Sequence, residues 1–185
     1  IYIVGRRRGV GVARATGTVL LTMGVMFVAL LLLAGVGSYL GDPRDARLRL
    51  VRLICTGGLV VFALYLVVIA LRPGFLAQRA LLQPLFDAGI LGTFKAFLVR
   101  FPHVVGHVFF QWILLRMFHV DLPFAAAATL LPVVFVIGWI PITFQGLGTK
   151  EVAAMELLGK YSGAATLEEQ RAQIVAYSLT VTVMF

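Results

Sequence analysis

The chain has 185 residues, 61% of them hydrophobic and only 13% charged, with a mean hydropathy of +0.99, a balance that excludes an ordinary soluble globular domain and predicts a polytopic membrane protein. Its formal charge of +8 would suggest nucleic acid in a soluble chain. Here the sixteen Lys and Arg residues sit mainly between apolar runs, so anionic headgroups and the positive-inside rule account for them and no nucleic-acid partner is expected.

The chain opens at Ile1 without Met or a signal-peptide pattern. Gly5 to Arg14 follows as a basic, glycine-rich loop with Arg6, Arg7, Arg8 and Arg14, read either as a topogenic cluster or as a lipid-phosphate site. A first span is predicted over 15–39, uncharged throughout, on which Gly17, Gly24, Gly35 and Gly37 allow close helix approach. Asp42-Pro43 provides an N-cap and a first-turn proline for a second helix, with Arg44, Arg47, Arg49 and Arg52 at its interfacial turns and a span over 53–71. The single cysteine, Cys55, lies in this apolar run and reads as a small buried residue, which excludes an intrachain disulfide and a cysteine metal cluster.

Beyond Arg72-Pro73-Gly74 the apolar runs are too short to span, so interfacial helices are expected over 75–100, interrupted at Pro84 and near Gly89 to Gly92. A third span, 102–120, places Arg100, His103, His107 and Gln111 at offsets of three and four, on one stripe of the helix. The histidines read as hydrogen-bonded structural residues or as the polar wall of a substrate path. A metal site needs further ligands, and none is in register. Asp121-Leu-Pro123 caps a fourth span over 123–142. Glu156 and Lys160 form an i,i+4 pair, and Thr166-Leu-Glu-Glu169 has the spacing of a capping box that starts a last helix near Leu167, with a span over 171–185. The uncharged run from Ile174 to Phe185 stops inside that span, so a fragment of a larger bundle, incomplete at both ends, is expected.

The most informative stretch is Pro141-Ile-Thr-Phe-Gln145-Gly-Leu-Gly148-Thr-Lys-Glu151, where glycines and two charges interrupt an apolar helix that has just ended. Broken backbone at membrane depth survives only when buried in protein or lining a wet cavity. The expected fold is therefore all-α, with a broken, membrane-dipping half-helix near 143–160. Twelve residues of helix rise only about 18 Å, short of a hydrocarbon core of about 30 Å, so Thr149 to Lys160 should return toward the face from which the segment entered, with His103, His107 and Gln111 opposite it. Counting charges with Lys150, Lys160 and Arg171 on the N-terminal side gives eleven against five (Arg44, Arg47, Arg49, Arg52 and Arg116), which favours a cytoplasmic Ile1 end.

The run from Leu131 to Ala154 resembles the signature of the flippase-like membrane domain of lysylphosphatidylglycerol synthases. Pro141, Thr143, Gly146, Gly148 and Glu151 match it, and Gln145 and Lys150 stand for its Gly and Arg. The resemblance implies a helical protein of the bacterial cytoplasmic membrane that moves a polar-headgroup lipid, an anionic or aminoacylated phospholipid or an isoprenoid-linked lipid, between leaflets. In that reading Glu151 meets a cationic or hydroxyl-bearing headgroup, and Lys150 and the first-turn N–H groups of the short helix meet phosphate. Gly146 and Gly148 allow close approach, while Thr143, Gln145, His103, His107 and Gln111 complete the headgroup site. No catalytic residue, metal or cofactor is expected, although such a domain accompanies a lipid-modifying synthase in the family it resembles. Homo-oligomers or a membrane complex are the expected protein partners. The alternative is a non-transporting interaction subunit that anchors a partner enzyme or complex.

Overall fold

The computed structural model describes residues 11–40, 46–138 and 149–184. Among them the regular elements are all helical: α1 (Val12–Leu40), α2 (Ala46–Leu71), α3 (Gly74–Ala77), α4 (Gln83–Met117), α5 (Phe124–Gly138), α6 (Thr149–Leu158), a 3₁₀ turn (Gly159–Tyr161) and α7 (Leu167–Met184). Three stretches, Val12–Leu40, Leu48–Leu71 and Gln83–Met117, are long and apolar enough to cross a membrane, so this is an all-α polytopic membrane protein. α5 is apolar but only 15 residues long. α7 carries Glu168, Glu169 and Arg171 in its first turns and is not among the three.

The described residues form two compact units, 11–30 with 56–104, and 31–40 with 46–55, 105–138 and 149–184. In the first unit the hydroxyls of Thr16, Thr18 and Thr22 donate to the carbonyls of Val12, Arg14 and Thr18, so they need no partner from lipid. Gly17 permits one close crossing: a Cβ there would stand 2.1 Å from the Leu81 carbonyl oxygen and 3.0 Å from the Pro84 ring. α2 stops where Arg72 takes a positive φ of 48° ahead of Pro73. α4 then starts with Pro84 in its first turn, where a missing N–H removes no helical bond.

Residues 83 to 100, expected as interfacial pieces separate from helix three, run into it instead. Beyond a kink at Gly89 the residues from 90 onward continue without a break through Pro102 to Met117, so that α4 is two helical segments joined at the kink. The expected interruption near Gly89 to Gly92 is present, because Gly89 adopts φ 60° and ψ −169°, a region essentially reserved for glycine. Asp87, just before that break, accepts from Arg14 at 3.0 Å and pairs with Arg72 at 3.5 Å.

In the second unit Gly37 lets α1 meet α5 backbone to backbone; a Cβ would fall 2.9 Å from the Ala125 carbonyl oxygen and from the Thr129 nitrogen. Gly24 and Gly35 make no such approach. Arg52 donates from Nε to the Ser38 carbonyl at 2.9 Å and lies over the Tyr39 ring. The main core joins α4, α5, α6 and α7 through Val108, Leu115, Leu131, Ala154, Leu158 and Ile174, all at most 1% exposed. Cys55 is buried against Leu31 and Ala34, as a small apolar residue would be.

α4 ends at His119, whose φ of 57° is the left-handed cap that lets Val120 N–H reach back to the Leu115 carbonyl. Trp112 Nε1 donates to the Leu122 carbonyl at 2.7 Å, and its ring meets Phe124 edge on, which pins the last turns of α4 to the start of α5. α7 begins with the predicted capping box: Glu169 N–H donates to Thr166 Oγ1 at 3.2 Å and Thr166 N–H to Glu169 Oε2 at 3.3 Å.

Candidate functional site

Of the residues expected in the broken stretch, Pro141, Thr143, Gln145, Gly146 and Gly148 lie outside the described residues, while Lys150 and Glu151 open α6. The course of α6 is fixed at its far end. Val120 and Ser162 form an antiparallel bridge, Asp121 N–H donates to the Tyr161 carbonyl at 2.9 Å, and Gly163 N–H donates to the His119 carbonyl at 3.0 Å. The entry to α5 and the exit from α6 therefore meet at one place. At the other end of the pair the Lys150 stem lies against Gly138, where a Cβ would come within 3.5 Å of Lys150 Cδ, and the two helices pack along one another.

Glu151, half-buried, consequently stands some distance along the helix from that meeting point. Seven residues of α-helix contribute about 10 Å and three of 3₁₀-helix about 6 Å, so the carboxylate starts roughly 16 Å along the axis from the Val120–Ser162 bridge. The same bonds put Lys160, one residue from Tyr161, at the end of the unit that holds His119 and Asp121.

The half-buried carboxylate of Glu151 accepts from Ser178 Oγ at 2.9 Å. Ser178 is fully buried on α7, and its neighbour Tyr177, 2% exposed, donates its hydroxyl to Gln111 Oε1 on α4. Gln111 is fully buried as well, and its Nε2 stands 3.5 Å from His107 Nε2, one turn earlier on the same helix. The His107 ring lies 4.8 Å from that of Phe135 on α5. Polar side chains of α4, α6 and α7 thus pair within an apolar core, α7 supplying Ser178 to Glu151 of α6 and Tyr177 to Gln111 of α4, while α5 lays the Phe135 ring beside His107.

The stripe on α4 divides along its length: Gln111 is buried, His107 and Arg100 half-buried, and His103 exposed. Gln111 and His107 join the cluster through α7 and α5, and His103 does not belong to this unit. Tyr177 and Ser178 were missed. Their signal in the sequence is weak, a pair of hydroxyls in an uncharged run that also holds Thr180 and Thr182. Those threonines return their hydroxyls to the Ala176 and Ser178 carbonyls, whereas Tyr177 and Ser178 reach across to other helices.

Chemically the site offers an acceptor carboxylate, an ammonium on the adjacent residue and the N-terminal end of a helix dipole, all of which suit a zwitterionic or phosphate-bearing group. Among the described residues no three His, Cys, Asp or Glu side chains are grouped to hold a metal ion. Compared with protein-family models, with curated proteins and with solved structures, the chain matches none.

Proposed function

We propose that the protein binds the polar headgroup of a membrane lipid at the first turn of α6 and passes it between leaflets of the bacterial cytoplasmic membrane while the acyl or isoprenyl chains stay in lipid. One observation carries this reading: the α5–α6 pair starts and finishes at the same edge, and Lys150 and Glu151, both half-buried, open α6 at the end of the pair away from that edge. An ionisable pair half-buried among apolar helices is costly unless a polar surface receives it, and in a membrane protein it marks a path by default. Helix N–H groups and Lys150 suit phosphate; Glu151 suits an amine or hydroxyl of the headgroup. The resemblance to the flippase-like domain of lysylphosphatidylglycerol synthases points to the same substrate class.

A second reading, a non-transporting subunit that anchors a partner enzyme or complex, is favoured by one feature. Gln111, Tyr177 and Ser178 are wholly buried and hydrogen-bonded, as a fixed structural network would be. Reconstitution into proteoliposomes separates the two. Fluorescent phosphatidylglycerol, lysyl-phosphatidylglycerol and isoprenyl phosphate are followed by quenching of the outer leaflet. Transport predicts that Glu151→Gln slows translocation at least tenfold while Glu156→Gln, altered five residues later on an exposed position of the same helix, leaves it unchanged. Equal rates in both variants, or no protein-dependent movement of any of the three lipids, remove the transport reading.

A further inference from the structure

We propose a second lipid site, in the first unit and separate from the Glu151 cluster: a groove between α1, α2 and α4 that takes one acyl chain of an anionic glycerophospholipid, with the phosphate held by Arg14 and Arg72. The groove encloses about 210 Å³ and is lined by Leu21, Gly24 and Val28 of α1, Val61 and Phe62 of α2, and Leu85 of α4. That is below the roughly 300–1,000 Å³ of pockets that surround a drug-sized molecule, and it suits a single chain. Its walls are apolar side chains on two helices long enough to cross a membrane, so the medium that fills it is hydrocarbon.

Charge at one end of the groove selects the headgroup. Arg14 precedes Leu21 by seven residues on α1, Arg72, the residue just past α2, follows Tyr65, another lining residue, by seven, and Asp87 follows Leu85 by two on α4. On the two long helices that places the guanidiniums about 10 Å beyond the apolar lining, the order in which a phospholipid carries phosphate and chain. Both guanidiniums are drawn to the Asp87 carboxylate, at 3.0 and 3.5 Å, so a cluster of two cations and one anion keeps one positive charge uncompensated. The Arg14 and Arg72 side chains remain 54% and 60% exposed, with donors left for phosphate oxygens. A zwitterionic headgroup would bring its own cation into this cluster, whereas an anionic one brings none. The site therefore prefers the anionic lipid, whether or not the protein translocates lipid elsewhere.

The test uses the full chain in nanodiscs of equimolar phosphatidylglycerol and phosphatidylethanolamine, with retained lipids counted by native mass spectrometry. The wild type should retain phosphatidylglycerol in several-fold excess. In the Arg14→Gln, Arg72→Gln double variant that excess should fall to parity or below, a loss on the order of fivefold for the one uncompensated positive charge. Asp87→Asn removes the internal counter-ion and should raise the excess, a change opposite in sign to any loss from misfolding. Gly24→Leu enters open space, since a Cβ there meets nothing within 4 Å, and should lower the number of lipids retained of both kinds while their ratio holds. An unchanged ratio in the arginine variant, a fall in Asp87→Asn, or undiminished retention in Gly24→Leu would each overturn the proposal.

Discussion

Tyr177→Phe removes one oxygen atom from the middle of the second unit, and what surrounds that atom sets the cost. Tyr177 is 2% exposed and its partner Gln111 is fully buried. The Gln111 Oε1 that accepts the phenol hydrogen would lose that bond, and its amide already stands 3.5 Å from His107, too far for a strong bond. An orphaned buried acceptor costs about 1–3 kcal/mol, more than the net worth of an ordinary hydrogen bond. Gln111→Leu alone should cost a similar amount by stranding the phenol. With both changes made neither group is stranded, so the double variant should be more stable than the sum of the singles. In lipid-embedded helices such coupling averages about 0.6 kcal/mol and reaches about 1.7, because the unfolded helices also find partners; about 1 kcal/mol is expected here, since both groups are fully buried. The measurement is a double-mutant cycle from SDS-driven unfolding in mixed micelles, followed by helical circular dichroism. Additivity within about 0.3 kcal/mol would show that the two residues do not depend on one another and would remove α7 as the shared partner of the cluster.

Gly17→Ala should destabilise the protein by about 1–3 kcal/mol because a backbone carbonyl, 2.1 Å from the new Cβ, must move; Gly57→Ala, with open space at its Cβ, is the neutral comparison in the same thermal melt. Gly37→Ala should cost a similar amount and loosen α1 from α5, read as faster hydrogen exchange in both helices. Gly89→Ala forces a side chain into a backbone region reserved for glycine, so its loss should be about 1–3 kcal/mol in the same unfolding assay. Thr166→Ala removes one half of the capping box and should lower stability by about 1 kcal/mol, with fraying confined to the first turn of α7 in hydrogen exchange.

What the sequence made legible is what neighbouring residues decide among themselves. The capping box at Thr166 and Glu169 depends on a spacing of three, and the stop after Leu71 on an Arg-Pro step. The break at Gly89 depends on one residue without a Cβ. Gly17 and Gly37 were legible as permission for close contact but not as contacts, since Gly24 and Gly35 read the same way and make none; the difference lies in what stands opposite. Pro102, expected at the start of the third span, lies inside α4 instead: a proline inside a helix loses a single backbone bond, and continuity of the remaining backbone bonds outweighs it where little water can replace them.

The candidate site was half legible for the same cause. Lys150, Glu151, His107 and Gln111 announce themselves as polar groups in apolar surroundings, and the rise of a short helix shows that α6 cannot cross. The partners of those groups do not follow from the sequence. Tyr177 and Ser178 look like Thr180 and Thr182 until α7 is placed, when two of the four hydroxyls turn back to their own helix and two reach other helices. The pairing of Val120 with Ser162 likewise joins residues with neither charge nor periodicity in common. It is that pairing, and no property of Lys150 or Glu151 themselves, that sets how far along α6 the ionisable pair stands from the start of α5.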